Sequence, residues 1–353
     1  MGRCSLATPL SCSEPYSGRS EWYEWVNRRW PASAVTIGVQ PSTNGAAQPS
    51  VYARPALSIS LPATPAGTPT PRQALACQPI PFDAIPRAAW ERLLGVTDAA
   101  TPFSRWTIHR AWWDAYGSTA HEQYMVALDD GAPADDPARI RAIVPLMHRH
   151  EVEQQDAPTA TVLRRHSVEP VATPVPGDAK AIFFGAAYHC DYATVLAAPE
   201  DLAQVAAALV TALAGPPDPE HGSQPWDVVD LRRLRTADPV LPALEAAFRA
   251  AAADHDWQVG REPEDVCPVV SAPSGDWDEY LATLDKKARH EIRRKVRRAA
   301  AVGDLAIEIG PPSAQAMDLF IELHNMRFGE RGLFPDTPGG ERSRRFVHRL
   351  AEL

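Results

Sequence analysis

A dense run of basic residues is the most distinctive chemical feature of this sequence. Residues 286–298 contain eight Lys or Arg and one acid in thirteen positions. On a helix, residues three or four apart share a face, so these side chains form two adjacent basic rows. Guanidinium groups bind phosphate oxygens in pairs, and several together hold a polyanion. The predicted anion-binding side chains are Lys287, Arg289, Arg293 and Arg294.

The same run has a second interpretation as a solvated face opposite an apolar stripe. That stripe follows helical spacing and consists of Leu281, Leu284, Ala288, Ile292, Val296 and Ala299. Like charges repel each other at helix spacing, so their density favours a bound anion over a solvated face. The residues alone leave both interpretations open.

A second group of reactive side chains lies in residues 183–192, which follow a predicted strand. A nucleophilic pair of Cys190 and His189 is one hypothesis, because a neighbouring imidazole lowers the pKa of a thiol. Adjacent residues on an extended chain point to opposite faces, however, which keeps the two side chains from sharing a proton. A structural turn is the favoured interpretation, with Asp191 or Tyr192 lining a cleft.

His324 and Arg327 are three residues apart and share one face of a predicted helix. Cations near a helix C-terminus are favoured by the helix dipole, which explains this pair without a ligand. The glycine-rich nucleotide loops, the nucleophile elbow and the H-E-x-x-H zinc motif do not occur in the sequence. We therefore expect neither a metal enzyme nor a P-loop nucleotide hydrolase.

The composition is typical of a globular chain in which any basic site is local. The chain has 353 residues and a formal charge of -9, which disfavours general binding to nucleic acid or to a membrane surface. Its five cysteines include no C-x-x-C pair, as expected of reduced thiols. No stretch approaches the roughly 20 apolar residues of a membrane span. We predict a cytoplasmic protein.

The patterning divides the chain into four segments. Residues 1–80 are rich in Pro, Ala and Ser, and we expect them to be a disordered tail. Residues 81–275 alternate helices and strands, as in an α/β or α+β layered domain with a mixed sheet flanked by helices. Residues 276–303 are predicted to form one basic amphipathic connecting helix. Residues 304–353 begin a second strand–helix domain and end without a helix cap, so we expect a truncated domain and an incomplete chain.

Individual elements are predicted from periodicity and from capping residues. The predicted helices are 86–94, 101–117, 199–213, 240–252, 276–302, 313–327 and one after Gly340. The predicted strands are 122–128, 140–146, 181–185, 226–231, 257–259, 266–271 and 305–309. The first two strands are joined at Asp129–Gly131 and are expected to form a hairpin.

The order of several short motifs resembles one family. These motifs are Thr101-Pro102-Phe103, Trp112-Trp113, Tyr116-Gly117, Val144-Pro145-Leu146, Phe184-Gly185, Asp191-Tyr192, Trp226-Asp227, Asp230-Leu231, Asp238-Pro239, Cys267-Pro268, the run Lys287–Arg294, Leu323-His324, Arg327, Gly332 and Phe334. Between residues 82 and 353, with gaps, the sequence resembles the BioF2-like acetyltransferase domain family. That family is the CelD-like branch of the GNAT superfamily and is similar to FemAB-type aminoacyltransferases.

The resemblance implies two fused GNAT-like folds, of which the second is incomplete here. It implies an acyltransferase that uses acyl-CoA or a similar donor and a small-molecule, saccharide or peptide acceptor in envelope or exopolysaccharide metabolism. The basic helix would hold phosphates or an anionic acceptor. The cleft between the two halves would be lined by Trp113, Tyr116, Asp191, Tyr192, His324 and Arg327. The sequence has neither an R-x-x-G-x-G nor a Q-x-x-G-x-A loop for a pyrophosphate.

A non-catalytic binding module is the alternative hypothesis. In that case residues 286–298 would bind nucleic acid or another anionic partner, and the fold would serve as a scaffold. The acidic balance of the whole chain weighs against nucleic acid.

Overall fold

The structure is a computed structural model of the chain that describes residues 33–41, 74–129, 131, 133, 136–149, 181–186, 189–218, 223–267, 275–303, 306 and 309–353. These residues form two compact units. One unit contains Ser33–Asp265 and Val302–Leu353, and the other contains Val266–Ala301. The domain boundaries expected from the sequence stay predictions.

Ten strands form two sheets within the described ranges. They are β1 Ser33–Pro41, β2 Leu75–Pro79, β3 His121–Glu122, β4 Met125–Asp129, β5 Ile140–Val144, β6 Leu146–Arg149, β7 Ala181–Phe184, β8 Leu196–Ala197, β9 Val228–Arg235 and β10 Trp257–Val266. The larger sheet has the order β10-β1-β9-β7-β6-β3, and the smaller has the order β2-β4-β5-β8. The larger sheet is mixed, because β7 and β9 run parallel while β6 and β7 run antiparallel.

Eight α-helices accompany these sheets in the described part of the chain. They are α1 Arg87–Val96, α2 Trp106–Tyr116, α3 Leu202–Ala214, α4 Val240–His255, α5 Trp277–Thr283, α6 Lys286–Ala300, α7 Ala314–Phe328 and α8 Pro338–Glu352. The predicted class, a mixed α/β architecture flanked by helices and consistent with a GNAT-like fold, is confirmed. The predicted hairpin is confirmed as well, since β4 pairs antiparallel with β5.

Two hydrophobic cores hold the larger unit together. The first contains the apolar faces of α3 and α4, including Leu209 and Phe248, both fully buried. The second is aromatic and includes Phe82, Trp90 and Tyr124, whose rings lie 5.2–6.0 Å apart. Ring pairs at such distances stabilise a core beyond the area that they bury. This aromatic core lies beside the cleft described below.

Two strands lie within residues 1–80, which were predicted to be a disordered tail, and residues 1–32 and 42–73 lie outside the described residues. Strand β1 lies inside that range and pairs antiparallel with β9, with Ile37 opposite Leu231 and Val39 opposite Val229. Strand β2 also begins before residue 80. The local sequence Val-Thr-Ile-Gly-Val favours a strand because it is rich in β-branched residues, which the surrounding prolines obscured.

The single helix predicted for residues 276–303 is wrong, because the chain forms α5 and α6 with a break between them. Leu284 and Asp285 have extended backbone conformations, and the Asp285 carboxylate accepts a hydrogen bond of 2.8 Å from the Ala288 amide. Aspartate is a strong N-cap and a poor interior helix residue, so it starts a new helix here. The predicted caps Asp276 and Ser313 are confirmed.

Two further strand predictions differ from the structure. The strands expected at 257–259 and 266–271 are replaced by the single strand β10, and residues 268–274 lie outside the described part. Most of the predicted strand 305–309 also lies outside the described residues.

Candidate functional site

The two sheets separate at Pro145, which lies between β5 and β6. Strand β5 pairs with β8 in the smaller sheet, whereas β6 pairs with β7 in the larger one. Proline has no amide hydrogen, so it cannot continue the ladder of either strand as a donor. Its carbonyl oxygen accepts a hydrogen bond of 2.7 Å from the Gly185 amide. Strand β7 ends at Phe184 beside this bond, and the residues on either side of it line a cleft.

This cleft, called the Pro145 cleft below, is the candidate site of the larger unit. Its walls are mostly aromatic or apolar and consist of Trp90, Phe103, Ser104, His109, Pro145, Phe184, Gly185, Cys190, Tyr192, Ala193, Thr194 and Leu196. The cavity itself has a volume of about 10 Å³. An apolar concave site with a few polar groups is the usual form of a ligand pocket. In the conformation described, this one admits about one water.

A chain of buried hydrogen bonds ends in the wall of the cleft. The Trp113 Nε1–H donates to the Tyr124 hydroxyl at 2.8 Å, and that hydroxyl lies 2.7 Å from His109 Nδ1. Because an indole can only donate, the Tyr124 hydroxyl oxygen accepts from Trp113 and forms its second hydrogen bond with His109 Nδ1.

Burial keeps both titratable members of this chain neutral. It lowers the pKa of His109 to about 3 and raises the pKa of Tyr124 well above its usual value. Both shifts have the same cause, since a buried charge loses its hydration. At neutral pH the wall of the cleft therefore contains an uncharged imidazole.

Gly185 lets the backbone approach this hydrogen-bond chain closely. A Cβ at residue 185 would lie 3.2 Å from the Tyr124 hydroxyl oxygen and 3.4 Å from the Pro145 carbonyl oxygen. The first distance is shorter than an ordinary van der Waals contact, so a side chain here would displace the hydroxyl. Because it has no side chain, Gly185 lets the wall of the cleft contact the Tyr124 hydroxyl.

Tyr192 lies in the wall of the cleft, whereas the neighbouring Asp191 is exposed. The ring of Tyr192 lies 6.2 Å from that of Phe103, and the Arg235 guanidinium lies 5.8 Å from its centroid. Asp191 does not belong to the wall among the described residues. Of this predicted pair, the structure therefore brings Tyr192 to the cleft.

Cys190 and His189 face different surroundings. Cys190 lines the cleft, and burial raises the pKa of its thiol to about 12, so the thiol stays protonated at neutral pH. His189 hydrogen-bonds with the Tyr116 hydroxyl at 2.9 Å and stacks on Phe346 at 4.3 Å. These contacts provide no nucleophilic pair, in agreement with the structural interpretation of the turn.

Tyr116 is the last residue of α2, and its side chain contacts α8, away from the cleft wall. Its hydroxyl is hydrogen-bonded to His189 Nε2 and, at 2.7 Å, to the Ser343 hydroxyl. Burial, followed by the charge of Arg233, lowers the pKa of His189 to about 3. Arg349 adds an ion pair of 2.7 Å from α8 to Asp114 on α2. Tyr116 therefore docks α8 on α2.

His324 and Arg327 also lie outside the cleft wall. His324 Nε2 accepts a hydrogen bond of 2.9 Å from the Leu333 amide, and its ring packs edge-on against Phe334. Arg327 is exposed, with its guanidinium over Phe328. The two residues share α7, and His324 holds the loop that follows this helix.

The basic residues of α6 are exposed or half-buried and are partly paired with acids. Arg294 forms two hydrogen bonds to Glu291, of 2.6 and 2.8 Å, and lowers the pKa of that carboxyl to about 2. Arg293 contacts Asp278 at 3.3 Å, and Arg289 donates to the Leu284 carbonyl at 2.9 Å.

Four cations of this helix lack an ion pair among the described residues. They are Lys286, Lys287, Arg297 and Arg298, all exposed. Part of the run is therefore available to an anion, and part is neutralised by residues of its own unit.

His109 and Tyr124 are the residues of the cleft that sequence analysis missed. His109 precedes Trp113 by four positions on α2, which places both on one helix face. Tyr124 lies eleven residues further along the chain and reaches this face only through the fold. The helical spacing from Trp113 is the available signal for His109.

One comparison with known proteins returned a match. Residues 286–353 match the family model described as an acetyltransferase (GNAT) domain. No curated protein and no solved structure matches the chain. The matched residues include α6, α7 and α8, and the match supports a general acyltransferase function. Membership in the CelD-like or FemAB-like groups stays a prediction.

GNAT domains generally use acyl-CoA, so the described residues can be tested for fit to this donor. The exposed cations of α6 offer charge for phosphates. The Pro145 cleft has space for about one water, whereas a pantetheine arm needs a continuous channel. In the conformation described, the cleft does not fit the donor.

The described residues contain no group of three or more His, Cys, Asp or Glu side chains that could hold a metal ion. The same residues form no helix long and apolar enough to cross a membrane.

Proposed function

We propose that this chain is an acyltransferase, with acyl-CoA or a similar thioester as donor and an amine or hydroxyl group as acceptor. The observation that carries the proposal is the match of residues 286–353 to an acetyltransferase (GNAT) domain. The mixed α/β fold agrees with it. The reaction forms a C–N or C–O bond, breaks the C–S bond and releases the free thiol, with the acceptor's proton as the balancing proton.

The proposal includes a saccharide or peptide acceptor of envelope or exopolysaccharide metabolism. The exposed cations of α6, including Lys287, support it because such acceptors are often carried on phosphates. Phosphate binding would also involve Arg289, Arg293 and Arg294, once phosphate oxygens replace their present hydrogen-bond partners. Asp191 and Arg327 are exposed and therefore accessible to an acceptor.

Release of free coenzyme A tests the proposal directly. The full chain is incubated with acetyl-CoA and longer acyl-CoA donors, and with amino sugars, amino acids and short peptides as acceptors. Chromatography quantifies the released coenzyme A, which avoids thiol reagents that would react with the chain's own cysteines. Acceptor-dependent release above the rate of hydrolysis supports acyl transfer. Hydrolysis rates alone, with every donor and acceptor, contradict it.

Charge removal on α6 tests the anion-binding part. The double variant Lys287→Ala/Arg293→Ala is expected to weaken acceptor binding while its melting temperature stays within a few degrees of the parent, because both side chains are exposed. The matched control Arg87→Ala/Arg249→Ala removes the same charge from two exposed positions on α1 and α4. Equal effects of the two double variants would contradict a specific role for α6.

A non-catalytic anion-binding module is the second candidate, supported by the cations of α6 that lack ion pairs. It predicts retention on a polyanion with steep salt dependence, since each neutralised phosphate adds about 0.9 to the log–log slope. Binding that is unchanged when the salt concentration is raised severalfold would contradict it.

A further inference from the structure

Helix α7 is held to its own unit by one of its faces. Ile321 is buried, and an Asp318 carboxylate oxygen lies 3.1 Å from His348 Nε2 on α8. His324 Nε2 accepts a hydrogen bond from the Leu333 amide, which fixes the loop that follows the helix. These contacts keep α7 ordered within a single chain, because tertiary packing supplies most of the stability of a short helix.

The opposite face of α7 is apolar and open to solvent. Its large side chains are 54–76 % exposed, and they are Leu319, Leu323 and Met326. They follow one another at spacings of four and three residues, so they form one row along the helix. Single exposed apolar residues are normal on a protein surface, whereas a contiguous row of them marks an interaction site.

This spacing is that of a coiled-coil seam. With Leu323 at position a of a heptad, Leu319 and Met326 both occupy position d, and the exposed Ala316 occupies the preceding position a. Ile321 then lies at position f, on the side of the helix that faces away from the seam. The side of α7 that packs on its own unit is therefore the side that a coiled coil does not use, and the seam is open to a second helix.

The charged residues beside this row complement a second copy of α7. Glu322 lies at position g and Arg327 at position e, and both are exposed without an ion pair among the described residues. In a parallel pair of helices, position g of one helix lies next to the position e that comes five residues later on the other. Glu322 of each copy would then meet the partner's Arg327. An antiparallel pair would bring g next to g and e next to e, so like charges would meet.

We propose that α7 is a self-association surface, on which a second copy of this chain docks its own α7 in parallel. The dimer buries the row Leu319, Leu323 and Met326 of both copies and forms two symmetry-related ion pairs between Glu322 and Arg327. Helix α7 has about two heptads, fewer than the three or four of a long coiled coil, so the dimer is weak and depends on concentration. Because α7 is already ordered in the single chain, association does not include the cost of folding it. This association is independent of the proposed acyl transfer and goes beyond it.

Sedimentation velocity of the full chain over a hundredfold range of concentration tests the association. We expect the mean mass to rise from that of one chain towards that of two. Leu323→Glu places a charge in the seam and is expected to leave the chain monomeric at every concentration, while its melting temperature stays within a few degrees of the parent because Leu323 is exposed.

The matched control is Val96→Glu, which adds the same charge at an exposed apolar residue at the end of α1 and should associate like the parent. Equal association of the two variants overturns the proposal. A parent chain that stays monomeric throughout also overturns it, and the apolar row is then left to a partner of another kind.

Charge reversal tests the parallel arrangement. Glu322→Lys and Arg327→Glu each change both ion pairs of the dimer from attraction to repulsion, so each is expected to raise the dissociation constant by about 5–30-fold. An equimolar mixture of the two variants restores opposite charges at both pairs and should associate as tightly as the parent. Asp98→Lys makes the same change of charge at an exposed acid outside α7 and should leave association unchanged.

Two results of the charge reversal would overturn the parallel dimer. The first is a mixture that associates no better than either variant alone. The second is a pair of variants that each associate like the parent while their mixture associates more tightly, because an antiparallel pair gives this result.

Discussion

Replacing Tyr124 with Phe removes one oxygen atom from the centre of the buried hydrogen-bond chain. The ring remains, so no large cavity forms, but the Trp113 Nε1–H and His109 Nδ1 both lose their partner. Each buried polar group left without a partner costs about 1–3 kcal/mol. We therefore expect Tyr124→Phe to lower the free energy of unfolding by about 2–6 kcal/mol. At about 2–4 °C per kcal/mol for a unit of this size, the melting temperature falls by about 4–24 °C.

Urea unfolding and ¹⁵N-histidine NMR measure the two consequences of this change. The midpoint should fall with an unchanged slope, and the His109 nitrogen resonances should move because Nδ1 loses its hydrogen-bond partner. Tyr280→Phe is the matched control, since the Tyr280 hydroxyl makes no hydrogen bond in the described part of the chain. Its stability should stay within about 0.5 kcal/mol of the parent. Equal stabilities of the two variants would refute the hydrogen-bond chain as described.

Three further predictions concern acid stability, one packing contact and one ion pair. Below pH 6.5 the unfolded chain protonates His109 and His189, whereas burial lowers the folded-state pKa of each to about 3. Each imidazole should therefore reduce the free energy of unfolding by about 1.4 kcal/mol per unit of falling pH. Urea titrations between pH 7 and 4 should show a shallower acid loss for H189Q, and an identical slope would contradict this. Phe346→Ala should cost about 3–5 kcal/mol in a urea titration, because it removes a buried ring stacked on His189; a loss below about 1 kcal/mol would contradict it. Arg141→Ala should cost about 1–3 kcal/mol by leaving the buried Asp201 carboxylate without its two-point partner. The double variant with Asp201→Asn should recover part of that loss, and no recovery would contradict the pairing.

The elements with clear periodicity could be predicted from the sequence. The hairpin of β4 and β5 is bounded by a turn, and α3 has a proline at one end and glycine at the other. The break before α6 was missed because the apolar positions Leu281 and Ala288 continue in helical phase across it. Asp285 starts a new helix there, because capping the Ala288 amide stabilises the chain more than continuing a single helix through Asp285 would.

The candidate site was less predictable because its groups meet through the fold. Tyr192 was singled out as a residue after a strand, and it lies in the cleft wall. His109 is surrounded in sequence by aromatic residues, which local patterning interprets as core. Its hydrogen bond with Tyr124 and its place in the wall of the Pro145 cleft both depend on the fold, and neither has a local signature in the sequence.

The contact between α2 and α8 has a consequence for folding during synthesis. The Tyr116 hydroxyl and the Ser343 hydroxyl are 227 residues apart in the chain. At about 5–20 residues per second, a ribosome needs roughly 11–45 s to make the intervening chain. During that interval the aromatic surface of α2 that α8 later covers stays open to solvent. Nascent chains of this protein are therefore expected to engage holding chaperones until residues near Phe346 emerge from the ribosome.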